Sequence, residues 1–253
     1  MNFRIADTFT ASLARLTGDE QKSVKTTAFD LQLNPAAPGL SFHKLDRARD
    51  KQFWSVRVND DIRLIVHRTE ASLLLCYVDH HDPAYRWAER RKLETHPTTG
   101  AAQFVEIREQ VREIAVPQYV VSAPVVPAEQ ALFADIADEV LPGSGVPGEW
   151  LGDVRGATED TLLTIADHLP AEAAEALLEL ATGGTPKAAP VATPQTNPFD
   201  HPDAQRRFRV MTDAAALATH FAQQLHKSLD PLQNGLSVLP VKSQSLQAAR
   251  GAT

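Results

Sequence analysis

The sequence FWSVRVNDDIRLIVHRTEASLLLCYVDHHDPAY, residues 53–85, predicts three consecutive β-strands followed by a polar exit. In the first two runs every second residue is apolar, which is the pattern of strands that turn one face to a core. The polar residues 59–61 between these runs suit a tight hairpin. The third run, residues 73–78, is almost wholly apolar and predicts a strand buried on both faces. We therefore expect an antiparallel meander that ends in the polar residues 79–82.

Basic and titratable side chains gather at this exit and on the polar face that leads to it. Arg57 and Arg63 flank the hairpin turn on adjacent strands, where two guanidinium groups can grip one phosphate. His80, His81 and Tyr85 follow the third strand. Histidine suits acid–base chemistry because its ordinary pKa lies near neutrality. These residue types indicate a phosphate-sized site at the end of the meander.

The flanking sequence builds a domain around the meander. A strand at residues 2–6 and two helical segments come first, and Lys44 lies in a short strand that leads into the meander. Pro83 suits the first turn of a helix that runs through residue 93 and carries Arg86 and Arg90 near its end. We expect residues 1–95 to form one α+β domain, in which an antiparallel sheet is covered by the two N-terminal helices.

The rest of the chain has a different composition. Residues 96–182 predict an extended linker and a mainly helical segment, with an amphipathic helix at residues 102–114 and a helical hairpin within 150–181. Residues 183–253 predict a low-complexity linker and a poorly ordered tail, interrupted by one helix at residues 213–229. The sequence thus predicts three successive units with boundaries near residues 95 and 182.

Charge and cysteine content restrict the classes of function. Residues 1–95 hold 15 Lys and Arg against 13 Asp and Glu, a net of +2, whereas the remaining residues hold 10 against 19, a net of −9. This balance argues against attraction of the whole molecule to nucleic acid and leaves a local basic patch as the alternative. Cys76 is the only cysteine, so we expect a reducing, cytoplasmic setting. Because no run approaches the roughly 20 apolar residues that span a bilayer, we expect no membrane partner.

Residues 1–95 resemble the RelE/ParE family of toxin domains in element order and in three motifs. These are FHKL at residues 42–45, the strand pair WSVRV and IRLI at 54–58 and 62–65, and VDHHDPAY at 78–85. The resemblance covers about two-fifths of the chain. It implies a RelE-like sheet and, as in ribosome-dependent members, endoribonuclease activity on messenger RNA, with an antitoxin as partner. Other members of the family poison gyrase and are not nucleases.

Cleavage of RNA by its own 2′-hydroxyl needs a base, an acid and positive charge on the phosphorane, but no metal and no cofactor. The candidates for catalysis are His80, His81, Tyr85 and Arg63, and those for substrate binding are Lys44, Arg57, Arg86 and Arg90. A metal site is not expected, because adjacent histidines in a strand point to opposite faces.

Each candidate also has a structural interpretation. The strand arginines can be the solvated face of a half-buried sheet. His80 can cap the end of the sheet, and Tyr85 can be a core aromatic residue of the helix that follows. The cations Arg86 and Arg90 suit the last turn of that helix through its dipole.

The acidic part of the chain resembles a different class of protein. Residues 146–184, with GEWL at 148–151, and the motif NPFDHP at 197–202 resemble the segment that joins a RelE-like domain to a UvrD-type helicase. The phosphate-binding pattern GxxxxGK[ST] of such a helicase is absent from the sequence. The alternative function is therefore a non-catalytic accessory module that binds DNA, RNA or a helicase partner, in a chain truncated before the ATPase.

Overall fold

The computed structural model describes residues 1–37, 39–108, 131–186 and 197–224. They form an α+β fold around a mixed six-stranded sheet, with a two-stranded ladder and a group of short helices packed beside it. The strands are β1 (Asn2–Ala6), β2 (Phe42–Lys44), β3 (Phe53–Arg57), β4 (Ile62–Arg68), β5 (Ser72–His80), β6 (Arg91–Thr95), β7 (Ala102–Glu106) and β8 (Phe208–Val210). The helices are α1 (Asp7–Leu13), α2 (Gly18–Leu33), α3 (His81–Glu89), α4 (Val140–Gly143), α5 (Leu151–Arg155), α6 (Glu159–Ala166), α7 (Ala171–Ala181) and α8 (Pro202–Arg207), and residues 214–224 are also helical and are called α9.

The meander has the predicted order and direction. β2, β3, β4 and β5 pair antiparallel in succession. The register shifts between Ile65 and Val66, which leaves Cys76 of β5 as an extra residue in a β-bulge. Cys76 is fully buried, as expected for a small hydrophobic residue, and this burial raises the pKa of its thiol well above the usual range.

The sheet is mixed, which corrects the prediction of an antiparallel sheet. β1 lies between β5 and β8, parallel to the first and antiparallel to the second, so that the strand order is β2-β3-β4-β5-β1-β8. Helices α1 and α2 carry the chain to the far edge of the sheet, and three reversals then return β5 beside β1 in the same direction. Alternation within a strand does not specify the direction of partners that are distant in sequence, so this parallel pair cannot be predicted from the pattern.

Both faces of the sheet are covered. The helical face packs against α1, α2 and α9 through apolar residues that include Val56, Leu64 and Leu75. The opposite face, which we call the ladder face, packs against α3, α8 and the β6–β7 ladder through a core that includes Phe53 and Ile65. The two N-terminal helices therefore cover one face, as predicted, while residues on both sides of the expected boundary at residue 95 cover the other.

The β6–β7 ladder replaces helical structure that the sequence predicted. Helix α3 ends at Glu89 and not near residue 93, and residues 102–106 form a strand, so the helix predicted at 102–114 is wrong over that range. Leu93 of β6 pairs with Phe104 of β7, and both pack against the core of the ladder face. Both segments have only a weak tendency to form helix, because few of their apolar residues recur at helical spacing. Burial of Leu93 and Phe104 in the ladder outweighs that tendency.

The turn of this ladder is built from residues 96–101. Gly100 has φ 75°, the left-handed region that glycine adopts without a steric penalty, and its N–H donates to the carbonyl of His96. The buried ring of His96 accepts from the N–H groups of Thr98 and Thr99 through Nδ1 and donates from Nε2 to the carbonyl of Val146. The turn is thereby fixed to the following helices.

Residues 131–182, here called the helical unit, hold a third core. It is formed by Phe133 and Leu141 together with buried residues of α5, α6 and α7. Trp150 anchors the unit to the ladder, because its Nε1 donates to the carbonyl of Glu106 at 2.8 Å and its ring stacks on His168 at 5.2 Å between centroids. The predicted helical hairpin is present as α6 and α7, while the described residues before it form shorter helices.

Two adjacent arginines of α8 connect the helical unit to the sheet. Arg207 is buried and paired with Glu172 of α7, whose side chain is 11% exposed, and desolvation lowers the pKa of Arg207 to about 10. Arg206 pairs with Glu175 at 2.6 Å on the surface. The same two helices are thus joined by one buried ion pair and one exposed ion pair.

Residues 197–224 complete the sheet rather than extend away from it. β8 pairs with residues 4–6 of β1, and Leu217 and Phe221 of α9 enter the core of the helical face. Arg4 is buried under the ring of Phe199, with 4.5 Å from its Cζ to the ring centroid. The predicted helix at 213–229 is confirmed over residues 214–224. Residues 187–196 of the predicted linker and the predicted tail from residue 236 lie outside the described residues.

Candidate functional site

The exit of the meander brings most of the predicted residues to one end of the sheet. Register pairs Arg57 with Arg63, Arg63 with Asp79, and Ile62 with His80. Helix α3 begins immediately after β5, so that its first turn lies at the same end. The N-terminus of α2 also reaches this end.

His80 and His81 do not share a site. His80 pairs with Ile62, whose side chain belongs to the helical face, and its Nδ1 lies 2.6 Å from Asp61 Oδ2 while its Nε2 lies 3.8 Å from Glu20 Oε1. His81 opens α3 and contacts Tyr85 on the ladder face. The two rings therefore face different surroundings, because His80 is the last residue of β5 and His81 is the first residue of α3.

Acidic neighbours favour the protonated form of His80. Its hydrogen bond with Asp61 raises the pKa of the imidazole, and the nearby charges of Asp61, Glu20 and Asp79 add to this effect. The same hydrogen bond lowers the pKa of Asp61. The pKa of Glu20 is lowered chiefly by hydrogen bonds from Thr17, with which it forms the capping box that starts α2. His80 is thus held as one member of a half-exposed ion pair.

The arginines of the hairpin are brought together, but their donors are directed at the turn. Arg57 pairs with Asp60 and donates from Nε to the carbonyl of Asn59 at 3.2 Å. Arg63 donates from Nη1 to the carbonyls of Asn59, at 2.9 Å, and Ile62, at 3.0 Å. Because guanidinium donors satisfy these carbonyls, the pair stabilises the hairpin and offers fewer donors to a phosphate than the sequence suggested.

A second cluster on the ladder face joins His81, Tyr85 and Ser55. The ring centroids of His81 and Tyr85 lie 4.3 Å apart, and His81 Nδ1 lies 2.8 Å from Asp82 Oδ1. An ionised carboxylate only accepts hydrogen bonds, so the proton of the neutral ring is held at Nδ1 and Nε2 is left as the basic nitrogen. The hydroxyl of Tyr85 lies 3.1 Å from Ser55 Oγ, which is buried in β3.

A cavity of about 390 Å³ opens beside this cluster, between α3 and the segment that follows β2. Tyr85 and Glu89 line it from α3, and residues 44–48 line it from the other side, so that the cations Lys44 and Arg47 share the cavity with the carboxylates of Asp46 and Glu89. Arg86 of α3 and Arg90, which follows the helix, are exposed, each one residue beyond a lining residue. Of the predicted residues, Lys44 and Tyr85 thus meet in one cavity, with His81 against Tyr85.

Three contributors to this site were missed from the sequence. Ser55 interrupts no apolar pattern, since it occupies the polar side of an alternating strand. Arg47 and Glu89 lie in charged segments where nothing in the sequence separates a lining residue from a solvated one. The one available signal is the helical spacing of four between His81, Tyr85 and Glu89, which places them on the same side of α3.

The cluster can transfer protons, and two cations at the cavity are available to contact an anion. His81 can accept a proton at Nε2, the phenol of Tyr85 can donate one, and Lys44 and Arg47 supply positive charge at the cavity. Over residues 1–37, 39–108, 131–186 and 197–224, no group of three or more His, Cys, Asp and Glu side chains is arranged to hold a metal ion.

The described helices include none that is both long enough and apolar enough to cross a bilayer. No protein-family model matches the sequence, and no curated protein matches it either.

Proposed function

We propose that this chain contains a RelE-like domain that binds RNA at the cavity beside α3 and cleaves it without a metal. The observation that carries the proposal is the contact of His81 with Tyr85 at a cavity that Lys44 and Arg47 also line. An oriented imidazole, a phenol and two cations are the groups that attack by a 2′-hydroxyl requires.

In the proposed reaction the RNA supplies its own nucleophile. His81 Nε2 removes the proton of the 2′-hydroxyl, the oxygen attacks the adjacent phosphorus, and the bond to the 5′-oxygen breaks. Tyr85 donates a proton to that leaving oxygen, and the products are a cyclic phosphate and a 5′-hydroxyl. Lys44 and Arg47 stabilise the charge of the phosphorane, and Asp82 keeps the ring of His81 in the tautomer that can act as base. Arg86 and Arg90 contact the RNA backbone on either side of the scissile phosphate.

This assignment gives His80, Arg57 and Arg63 structural roles at the exit. Their donors are directed at Asp61, Asp60 and the carbonyls of the turn. The sequence alone gave His80 and Arg63 as catalytic candidates and Arg57 as a candidate for substrate binding, so variants of these three residues distinguish that prediction from the present proposal.

The test is RNA cleavage in a translation extract by the purified chain. We expect His81→Ala to lower the rate by about 10²- to 10⁴-fold, the usual contribution of a general base, and Tyr85→Phe to lower it comparably. His80→Ala is the matched control and should cleave at close to the original rate. Intact messenger RNA, under conditions in which an active RelE enzyme cuts it, would contradict the proposal.

A non-catalytic accessory module of a UvrD-type helicase is the second candidate. The observation that favours it is the acidity of the exit, where four carboxylates lie beside the histidines and oppose the approach of a phosphate from that side, namely those of Glu20, Asp61, Asp79 and Asp82. This candidate predicts salt-sensitive binding of DNA or RNA with no cleavage. If the chain binds neither nucleic acid nor a helicase, the accessory role is excluded.

A further inference from the structure

An aromatic and basic surface lies on the helical face at the β2 edge of the sheet. Trp54 and Phe42 are half-buried there. The guanidinium carbon of Arg68 lies 4.6 Å from the centroid of Phe42 and 5.8 Å from that of Trp54, and Lys44 Nζ lies 5.9 Å from the Trp54 ring. We call these four residues the edge platform.

The edge platform borders a pocket of its own. The pocket has a volume of about 310 Å³ and is lined by Trp54 and Arg68 together with Gln52, Thr69, Glu70 and Met1. Trp87 and Trp150 are both buried, whereas Trp54 keeps part of its indole at the surface. The edge platform thus combines the partly exposed indole of Trp54 with the cations of Arg68 and Lys44, and Glu70 is the one carboxylate that lines the pocket.

Lys44 connects this pocket to the cavity beside α3. It lines that cavity, and its ammonium group also lies over Trp54. Trp54 and Ser55 are adjacent in β3 and turn to opposite faces, Ser55 toward Tyr85. A flexible ligand that passes around the edge strand β2 can therefore contact the cavity and the edge platform at once, with Lys44 between them.

We propose that the edge platform is a second contact for the single-stranded nucleic acid bound at the cavity, with one base stacked on Trp54 and the neighbouring phosphate held by Arg68. The inference rests on the proposed function and extends it. Aromatic rings combined with cations are the means by which proteins bind single strands with little dependence on sequence, because every base offers a π-face. The strand then runs from the His81–Tyr85 cluster over Lys44 to the platform.

The test measures binding of RNA and DNA oligonucleotides of about 4 and about 12 nucleotides, a range that covers the site sizes of single-strand binding modules. Trp54→Ala should weaken binding of the longer oligonucleotide about tenfold and leave the shorter one nearly unchanged. Arg68→Ala removes no core side chain. It should weaken binding of the longer oligonucleotide several-fold and lower the slope of log binding constant against log salt concentration by about one, the effect of losing one phosphate contact. The intrinsic fluorescence of Trp54, measured against Trp54→Phe, should be quenched by the longer oligonucleotide.

Arg15→Ala is the matched control. The guanidinium of Arg15 also lies over an aromatic ring, that of Tyr77 at 5.9 Å, but outside the edge platform, so its removal should leave binding unchanged. If Arg47→Ala, which changes the cavity alone, weakens binding while the Trp54 and Arg68 variants do not, the edge platform is excluded and the proposed function stands. If no RNA or DNA oligonucleotide binds at all, the proposed function fails and the platform with it. Equal loss for RNA and DNA supports stacking as the contact, and loss for RNA alone assigns the platform to RNA.

Discussion

At the scale of residues, the exit of the meander shows how two adjacent histidines acquire different chemistry. His80 forms an ion pair with Asp61, whereas His81 rests against Tyr85 with its Nδ1 at Asp82. The sequence predicted that the two rings face apart, and they do, although His81 already belongs to α3 and not to the strand that this prediction assumed. The approach of Glu20 could not be predicted, because that contact joins α2 to β5 and depends on how the helix lies over the sheet.

We predict that Asp61→Asn lowers the pKa of His80 toward its ordinary value of 6.5, since the hydrogen bond with Asp61 is the largest cause of the raised pKa. An NMR titration of the His80 ring, assigned with His80→Gln, measures the change. Asp60→Asn is the control, because Asp60 pairs with Arg57. An unchanged His80 titration in Asp61→Asn would contradict this account of the pair.

The shifted pKa values of His80 and Asp61 determine how the free energy of unfolding changes with pH. Because the pKa of His80 is raised in the folded state, its contribution is complete below 6.5 and is lost as pH rises through the folded value. Because the pKa of Asp61 is lowered, its contribution is complete above 3.8 and is lost as pH falls through the folded value. Comparing the unfolding midpoints of the original chain and of Asp61→Asn should therefore show the largest difference between about pH 4 and pH 6.

At the scale of elements, the β6–β7 ladder is the part of the fold that the sequence conceals. Its strands contain charged residues and short apolar runs that fit a helix as well as a strand, and neither run is long enough to decide. Packing against the core of the ladder face selects the strand conformation, because Phe104 contacts the rings of Phe53, Trp87 and Phe208 there. By contrast, the meander could be predicted because alternation, a polar turn and an apolar third strand agree.

Phe104→Ala should therefore lower the free energy of unfolding by about 3 kcal/mol, the lower part of the range for a core phenylalanine, since this side chain is only half-buried. Chemical denaturation measures the loss. Phe104→Leu keeps most of the volume and should cost less than about 1.5 kcal/mol. Equal, small losses for both variants would show that the ladder contributes little to this core.

At the scale of the whole molecule, an acidic helical unit is fixed to a sheet that both ends of the described chain help to build. The net charge of −9 beyond residue 95 indicated a different unit, and part of that charge faces Lys92, Arg206 and Arg207. The sequence could not predict which carboxylates these cations meet, nor that residues 208–210 would return to β1, since both depend on contacts between distant segments.

The paired arginines of α8 provide a matched test of this attachment. Glu172→Gln should lower the free energy of unfolding by about 3 kcal/mol, because it leaves the buried guanidinium of Arg207 without its carboxylate. Glu175→Gln removes the exposed partner of Arg206 and should cost less than about 1 kcal/mol. Thermal and chemical unfolding of the two variants measure the difference. Similar values for both would show that burial does not distinguish the pairs.

The central position of β1 has a consequence for the order in which the protein is made. One edge of β1 is paired as soon as β5 emerges from the ribosome, but the other waits for β8, about 130 residues later. At a synthesis rate of about 5–20 residues per second, that edge is open for on the order of ten seconds. Its unpaired N–H and C=O groups are a template for pairing with another chain during that time. The yield of native protein should therefore depend on translation speed, and a ribosome that stalls between residues 80 and 208 lengthens the period in which nascent chains can aggregate.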